Sequence, residues 1–215
     1  MYLHTTVFHH TTVYLLLAVV LILLIVSFTT DLDAESETFF VDGIEYEIVD
    51  NYVSIVGIDS EILYDYSFPN KIEYNFSNYD VKSIEADAFR NTLNLCGSVT
   101  LPTTLTVINT GSFCGCNNLT SLTISSGQIC ENAISDCSNL QNIFLGEYTE
   151  FVSSIVKNCQ SVESITYNSL FNTNFLRSPF NEINSTYVVE INLGDSVTAL
   201  VPGLFSNIGE IMLGD

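Results

Sequence analysis

The chain has very few basic side chains. Its 215 residues include five Lys and Arg against 25 Asp and Glu, so the formal net charge is −20 and the isoelectric point is about 4.1. A protein that binds nucleic acid uses Lys and Arg to displace the counterions of the phosphates, and docking on anionic lipid uses polybasic clusters. The composition therefore argues against nucleic acid and against an anionic lipid surface as partners.

Histidine occurs only in the first ten residues, at His4, His9 and His10. If the apolar segment that follows crosses a membrane or is removed, the folded part of the protein has no imidazole. Ser-His-Asp and Cys-His catalysis and His-liganded zinc are then excluded. A phosphate-binding loop of the G-x-x-x-x-G-K-[ST] type is also missing. The sequence predicts a protein that is not an enzyme and has no cofactor.

No metal site is predicted either. Cys114-Gly-Cys116 lacks the second cysteine pair or the histidines of a structural zinc site. The acidic residues between positions 31 and 50 do not have the D-x-[DN]-x-[DN]-G spacing of a calcium loop. We interpret this acidic stretch as a solvated segment.

Residues 11–30 form a long segment without a charged side chain, and its centre, residues 13–26, reads VYLLLAVVLILLIV. About 20 apolar residues can span a bilayer core of ~30 Å. Two interpretations remain open for residues 1–30. The length fits an uncleaved transmembrane signal anchor, which would hold the protein to the membrane through residues 11–30. A cleaved signal peptide is the other, although Ser27-Phe28-Thr29 is a poor cleavage site.

The rest of the chain carries three N-glycosylation sequons, at Asn75, Asn118 and Asn184. They favour export of the segment that follows the apolar one, so these three residues are the glycosylation candidates. We expect the protein at the plasma membrane or cell surface, with the bulk of the chain extracellular.

An apolar pattern repeats through the second half of the chain. Six apolar positions between Ile108 and Ile124 recur 21 residues later and again after a further 22. Pairs of apolar residues mark the copies, 20–26 residues apart, at 99/101, 122/124, 143/145, 165/167, 191/193 and 211/213. The alternation within each copy is typical of a short strand, which buries its apolar face only by stacking on neighbouring copies.

This period is that of a leucine-rich repeat. The sequence therefore predicts an α/β-type leucine-rich repeat solenoid, with about six repeats and a column of short parallel strands. Cys116, Cys137 and Cys159 share one repeat position. We expect them to form a buried ladder of thiols, because side chains on neighbouring rungs point parallel to one another. Disulfides, common outside the cytosol, are the alternative.

Several stretches resemble one known repeat family. VKSIEADAFRNTL, LPTTLTVINTGSFCGCNNLTSLTIS and LGDSVTALVPGLFSN look like the BspA-type leucine-rich repeats of bacterial and protist surface antigens. The combination of Ala88-Phe89 with Gly115-Cys116-Asn117-Asn118-Leu119 is specific, whereas residues 168–187 do not fit. The resemblance implies a cell-surface protein for binding or adhesion, and the family has no shared catalytic site.

Residues 31–80 precede the repeats and read as an acidic segment and an N-terminal β cap. Residues 39–41 and 44–48 predict a hairpin around Asp42-Gly43, and 52–56 and 71–76 are further strand candidates. The repeat domain, residues 81–215, has no comparable cap after Ile211. We therefore expect a fragment truncated at the C-terminus, or a last rung that another chain covers.

Alternation also predicts which side chains are presented to a partner. In each strand the residues that flank the inward apolar position face outward, on what should be the concave face of the solenoid. These candidate ligand-binding residues are Ser98, Thr100, Ser121, Thr123, Asn142, Phe144, Ser164, Thr166, Glu190 and Asn192. We predict that they bind a protein or glycoprotein ligand at the cell surface. The alternative is a passive structural or surface-coat protein that self-associates.

Overall fold

The structure is a computed structural model that describes most of the chain after residue 35. The described residues are 36–59, 61–151, 153–170, 178–186, 189–197, 200, 203–205, 208 and 211–213. The predicted signal anchor or signal peptide, residues 1–30, lies outside them. Across the described ranges no helix has the length and hydropathy needed to cross a membrane. Residues 37–215 form one compact unit.

The described residues form strands joined by turns and irregular segments. The strands are β1 (Thr38–Val41), β2 (Ile44–Val49), β3 (Tyr52–Ile58), β4 (Leu63–Tyr64), β5 (Lys71–Tyr74), β6 (Ser77–Ile84), β7 (Leu95–Thr100), β8 (Val107–Ile108), β9 (Leu119–Ile129), β10 (Ile134–Ser135), β11 (Asn142–Phe151), β12 (Val156–Lys157), β13 (Ser164–Tyr167), β14 (Val189–Leu193) and β15 (Ile211–Leu213).

The prediction of an α/β-type solenoid is wrong, because the described part of the chain contains no helix. The structure is a β-solenoid built from leucine-rich repeats. In the coil that begins with β9, the return path includes Gly127, Asn132 and Asp136, whose φ angles are 98°, 55° and 55°. An α-helix needs φ near −63° at every residue. These left-handed positions therefore break the return path into turns and short strands.

One parallel ladder, here called the front ladder, runs through β7, the first halves of β9 and β11, β13, β14 and β15. Its inward row comprises Val99, Leu122, Ile143, Ile165 and Ile191, and Leu213 is the register partner of Ile191 in the last rung. The predicted column of parallel strands is thus confirmed. The last rung differs in register, since Ile211 pairs with Val189 and not with Ile191.

A second parallel ladder, the side ladder, was not predicted. Strands β9 and β11 continue past the front ladder, so that residues 126–129 pair with residues 148–151. Strands β8, β6 and β3 extend this ladder in turn. A short pairing of β10 with β12 forms a further face of the solenoid. Each central coil therefore turns through three strand segments around one apolar interior.

Stacked side chains fill that interior. The rings of Phe68 and Phe89 have centroids 5.6 Å apart, and those of Phe89 and Phe113 lie 5.1 Å apart. Phe89 and Phe113 are completely buried. Each coil supplies one apolar residue at this position because the coils have nearly equal lengths, so equivalent side chains come into register and exclude water together.

The predicted hairpin forms at the N-terminal end of this unit. Strands β1 and β2 pair in antiparallel fashion around Asp42 and Gly43, which have φ angles of 49° and 77°. Strand β3 then pairs in parallel with β6 and so continues the side ladder. The boundary at residues 80 and 81 between a cap and a repeat domain remains a prediction.

Candidate functional site

The ten predicted ligand-binding residues form two parallel rows on the outer side of the front ladder. The first row is Ser98, Ser121, Asn142, Ser164 and Glu190; the second is Thr100, Thr123, Phe144, Thr166 and Asn192. Neighbouring members of a row are about 4.8 Å apart, the spacing of paired strands. The structure thus brings all ten onto one face, while their role in ligand binding remains a prediction.

The surface of these rows is polar apart from one aromatic ring. Ser98 and Asn142 are exposed and the other eight side chains are half-buried. Phe144 lies between Thr123 and Thr166 in the second row. Asn192 Nδ2 donates a hydrogen bond to Ser164 Oγ on the adjacent rung (3.2 Å). The face combines hydrogen-bonding groups with a single apolar platform.

Two open clefts lie where the front ladder meets the side ladder. The first has a volume of about 450 Å³ and is lined by Phe144, Glu147 and Asn168, among others. The second has a volume of about 380 Å³ and includes Gln128 and Glu150 in its lining. Ser126 and Tyr148 line both clefts. Phe144 therefore belongs both to the predicted face and to a concave site beside it.

The bend next to the clefts arises from one extra residue in β11. Leu145 pairs with Ile124, but the next pair is Tyr148 with Ser126, so β11 has a bulge at this point. Gly146 occupies the bulge, where a Cβ atom would lie 2.8 Å from the Cα of Ser125. Only glycine fits this close approach of two backbones without a shift of the chain.

The sequence analysis missed Glu147, Tyr148 and Glu150. Tyr148 is 59% exposed, and Glu147 Oε1 accepts a hydrogen bond from Ser196 Oγ (2.7 Å). The sequence does carry a signal for this region, because Gln128 and Glu150 are polar, are 22 residues apart and each precede an apolar residue that starts the next copy of the repeat. The predicted outward residues cover only the strand around the apolar pair of each copy, whereas β9 and β11 extend several residues beyond it.

The basic side chains of the described chain are engaged away from the clefts. Lys71 and Lys82 pair with Asp80, at 3.1 and 3.7 Å. The hydrogen bond from Lys71 holds the pKa of Asp80 below its usual value. The other ion pairs are Arg90 with Asp87 (2.7 Å) and Lys157 with Glu182 (3.2 Å). Within the residues described, the carboxylates of the clefts therefore have no cation.

The cysteine ladder forms as predicted, with all six cysteines free and Cys116, Cys137 and Cys159 completely buried. The thiols of Cys116 and Cys137 donate hydrogen bonds to the carbonyl oxygens of Phe89 (3.1 Å) and Phe113 (2.9 Å). Contact with the Cys137 thiol and burial raise the pKa of both Cys116 and Cys159. The described residues hold no group of three or more potential metal ligands among His, Cys, Asp and Glu.

We expect alkylation of the folded full chain by iodoacetamide to modify Cys96 and Cys130 first, because both are only half-buried. Burial raises the pKa of Cys130, and the thiolate is the reactive form. The labelling rate of free cysteine, whose pKa is ~8.5, levels off once the pH exceeds that value. The labelling rate of Cys130 should therefore keep rising with pH beyond this point. Peptide mapping by mass spectrometry measures this, and labelling of Cys137 as fast as Cys96 would contradict the ladder.

The three sequons differ in their surroundings. Asn118 Nδ2 donates to the carbonyl oxygen of Leu93 (2.8 Å), and Asn184 Nδ2 donates to Asn158 Oδ1 (2.7 Å). Both bonds join neighbouring coils through the atom to which a glycan is attached. Asn75 is exposed in the turn between β5 and β6, with a φ angle of 49°. Of the three candidates, Asn75 has the position most compatible with a glycan.

Comparison with known proteins identifies the repeats. A family model described as BspA type leucine rich repeat region matches residues 61–185 in six copies. No curated protein matches the chain.

Solved structures show the same fold at low sequence identity. The pneumococcal vaccine antigen PcpA is 13% identical, with a TM-score of 0.56 over 85% of this chain and 49% of that one. A leucine rich cell surface protein from Faecalibacterium prausnitzii is 17% identical, with a TM-score of 0.52 over 76% of this chain and 44% of that one. The chain thus spans about half the length of these two proteins.

Proposed function

Because its repeats match the family model over residues 61–185, the chain belongs to the BspA-type leucine-rich repeat family, and we propose that it is a non-enzymatic cell-surface protein that binds a protein or glycoprotein ligand. Binding takes place on the outer face of the front ladder. The anchor is the apolar segment, residues 11–30, and the bulk of the chain is extracellular.

The observation that carries this proposal is the pair of rows on the front ladder. Ten side chains in register present hydroxyl, amide and carboxylate groups on one continuous face, with Phe144 in its middle. Interfaces are commonly built from an aromatic anchor within a polar surround. The similar folds of a cell surface protein and a vaccine antigen support a surface location.

The test combines localisation with capture. The full chain, expressed in its native cell with a C-terminal tag, should be labelled by a membrane-impermeant biotin reagent in intact cells. It should stay in the membrane pellet after alkaline carbonate extraction, since about 20 apolar residues hold a segment in the bilayer. Proximity labelling should then recover a partner protein that a variant with Thr123→Arg and Thr166→Arg on the outer face fails to recover.

Two results would contradict the proposal. Labelling only after permeabilisation would place the chain inside the cell. The second result concerns sedimentation of the detergent-solubilised chain. If the chain formed large oligomers, and the two arginine substitutions dissociated them without affecting the binding of any other partner, the protein would be a self-associating coat protein. A matched control variant, Glu163→Arg, changes an exposed side chain outside the two rows and should leave capture unchanged.

A further inference from the structure

We propose that the two clefts beside Tyr148 bind an extended segment of a partner protein that carries lysine or arginine. This inference rests on the proposed function, since it specifies the chemistry of the protein partner. The occupant follows from three features of the clefts, namely an exposed ring, two carboxylates and an elongated shape.

The exposed ring is that of Tyr148. It lies on the outer side of the side ladder, where its partner in register is the small residue Ser126. This small partner leaves the face of the ring open, and the ring borders both clefts. A lysine or arginine side chain packs favourably on such a face, through its apolar stem and by cation–π attraction.

Glu147 and Glu150 lie on either side of Tyr148 along β11, and each lines one of the two clefts. Glu147 lines the first cleft, where the hydrogen bond from Ser196 orients it, and Glu150 lines the second cleft. Glu150 and Tyr148 are two positions apart in β11, so they share one side of the strand, about 7 Å apart. A cation on the ring would therefore lie within reach of a carboxylate on either side.

The chain does not supply that cation from its described residues. All four of its described basic side chains are paired with Asp80, Asp87 or Glu182. The net charge of −20 adds a field that attracts a basic partner and repels an acidic one. Charge complementarity thus favours a basic segment over a neutral sugar or an acidic peptide.

The shape favours an extended segment. The linings follow β11 around its bulge from Phe144 to Glu150, a path of at most about 20 Å at the rise of a strand. Exposed Thr103, Thr106 and Gln128 border the same path. The two threonine hydroxyls donate to Asn70 and Lys82, so they can accept from peptide N–H groups, and the Gln128 amide can donate and accept. A partner strand could therefore lie along the clefts with one basic side chain on the ring of Tyr148 and the side chains two positions away, about 7 Å to either side, directed at the rest of the cleft linings.

The test uses the full chain in a neutral detergent and three short synthetic peptides. One alternates arginine with serine, the second has citrulline in place of arginine, and the third has glutamate. We expect the arginine peptide to bind at least about tenfold more tightly than the other two, with an affinity that falls as salt is raised. We expect binding of the arginine peptide to weaken about tenfold in Tyr148→Ala. We expect a similar loss in a second variant that combines Glu147→Gln with Glu150→Gln.

Matched variants provide the controls. Tyr64→Ala removes another exposed tyrosine, 71% exposed, and Glu163→Gln removes an exposed carboxylate; neither lines the clefts. Both should bind the arginine peptide as the unchanged protein does. Equal binding of the citrulline peptide, or equal weakening by the control variants, would overturn the inference.

The same variants separate this inference from the proposed function. One outcome is that a captured surface partner no longer binds the variant with Thr123→Arg and Thr166→Arg but still binds Tyr148→Ala and the variant with both glutamine substitutions. The partner then does not bind in the clefts, and only the inference fails. If the clefts bind the arginine peptide as described but the chain is labelled only in permeabilised cells, the proposed surface function fails and the chemistry of the clefts stands.

Discussion

Phe113→Ala is expected to destabilise the full chain by about 3–5 kcal/mol, the usual cost of emptying a buried aromatic site. Phe113 is completely buried, and its ring packs against Phe89 with a centroid distance of 5.1 Å. Its coil lies between coils on both sides, so the neighbours cannot collapse into the cavity without breaking their own ladders. Urea unfolding followed by circular dichroism should show a lower midpoint with an unchanged slope.

Phe40→Ala is the matched control. Phe40 is on β1 and is 56% exposed, so the same change of side chain should cost less than about 1 kcal/mol. A similar midpoint for the two variants would contradict the assignment of Phe113 to the stacked interior. It would also contradict the view that coils of nearly equal length build this core by bringing equivalent side chains into register.

Phe144→Ala is expected to weaken attachment to a captured surface partner by about 30-fold, which corresponds to ~2 kcal/mol. The side chain is half-buried in the outer row, whereas Ile143 and Leu145 on either side are buried inward. Its loss should therefore change the free energy of unfolding by no more than about 1 kcal/mol. Titration of the solubilised chain against the immobilised partner measures the first effect, and urea unfolding the second.

Asn142→Ala serves as the control in the same strand, because Asn142 is exposed in the other row and lines neither cleft. The Asn142→Ala variant should bind the partner at least about tenfold more tightly than Phe144→Ala does, since a polar contact at the edge of an interface contributes little to affinity. A large loss of stability in Phe144→Ala, with unchanged binding of the fraction that stays folded, would show instead that the ring is part of the core.

The stacking of coils was predictable from the sequence because it depends on a local pattern. Apolar residues two positions apart, repeated every 20–26 residues, bury their side chains only if equivalent strands lie in register. The pairing of Val99, Leu122, Ile143 and Ile165 follows from that pattern alone. The hairpin at Asp42 and Gly43 was predictable in the same way, because the turn residues lie next to one another in sequence.

The return path and the clefts were decided only by tertiary structure. Asn132 and Asp136 take left-handed conformations while their backbone N–H groups donate to Ser154 (2.8 Å) and Lys157 (2.9 Å) of the next coil. These bonds have partners about 20 residues away, so no local propensity reveals that they replace a helix. The clefts likewise depend on the close approach of Gly146 to Ser125. The extra residue in β11 bends that strand only because β9 of the neighbouring coil, which lacks the residue, pairs with it on both sides of the bulge.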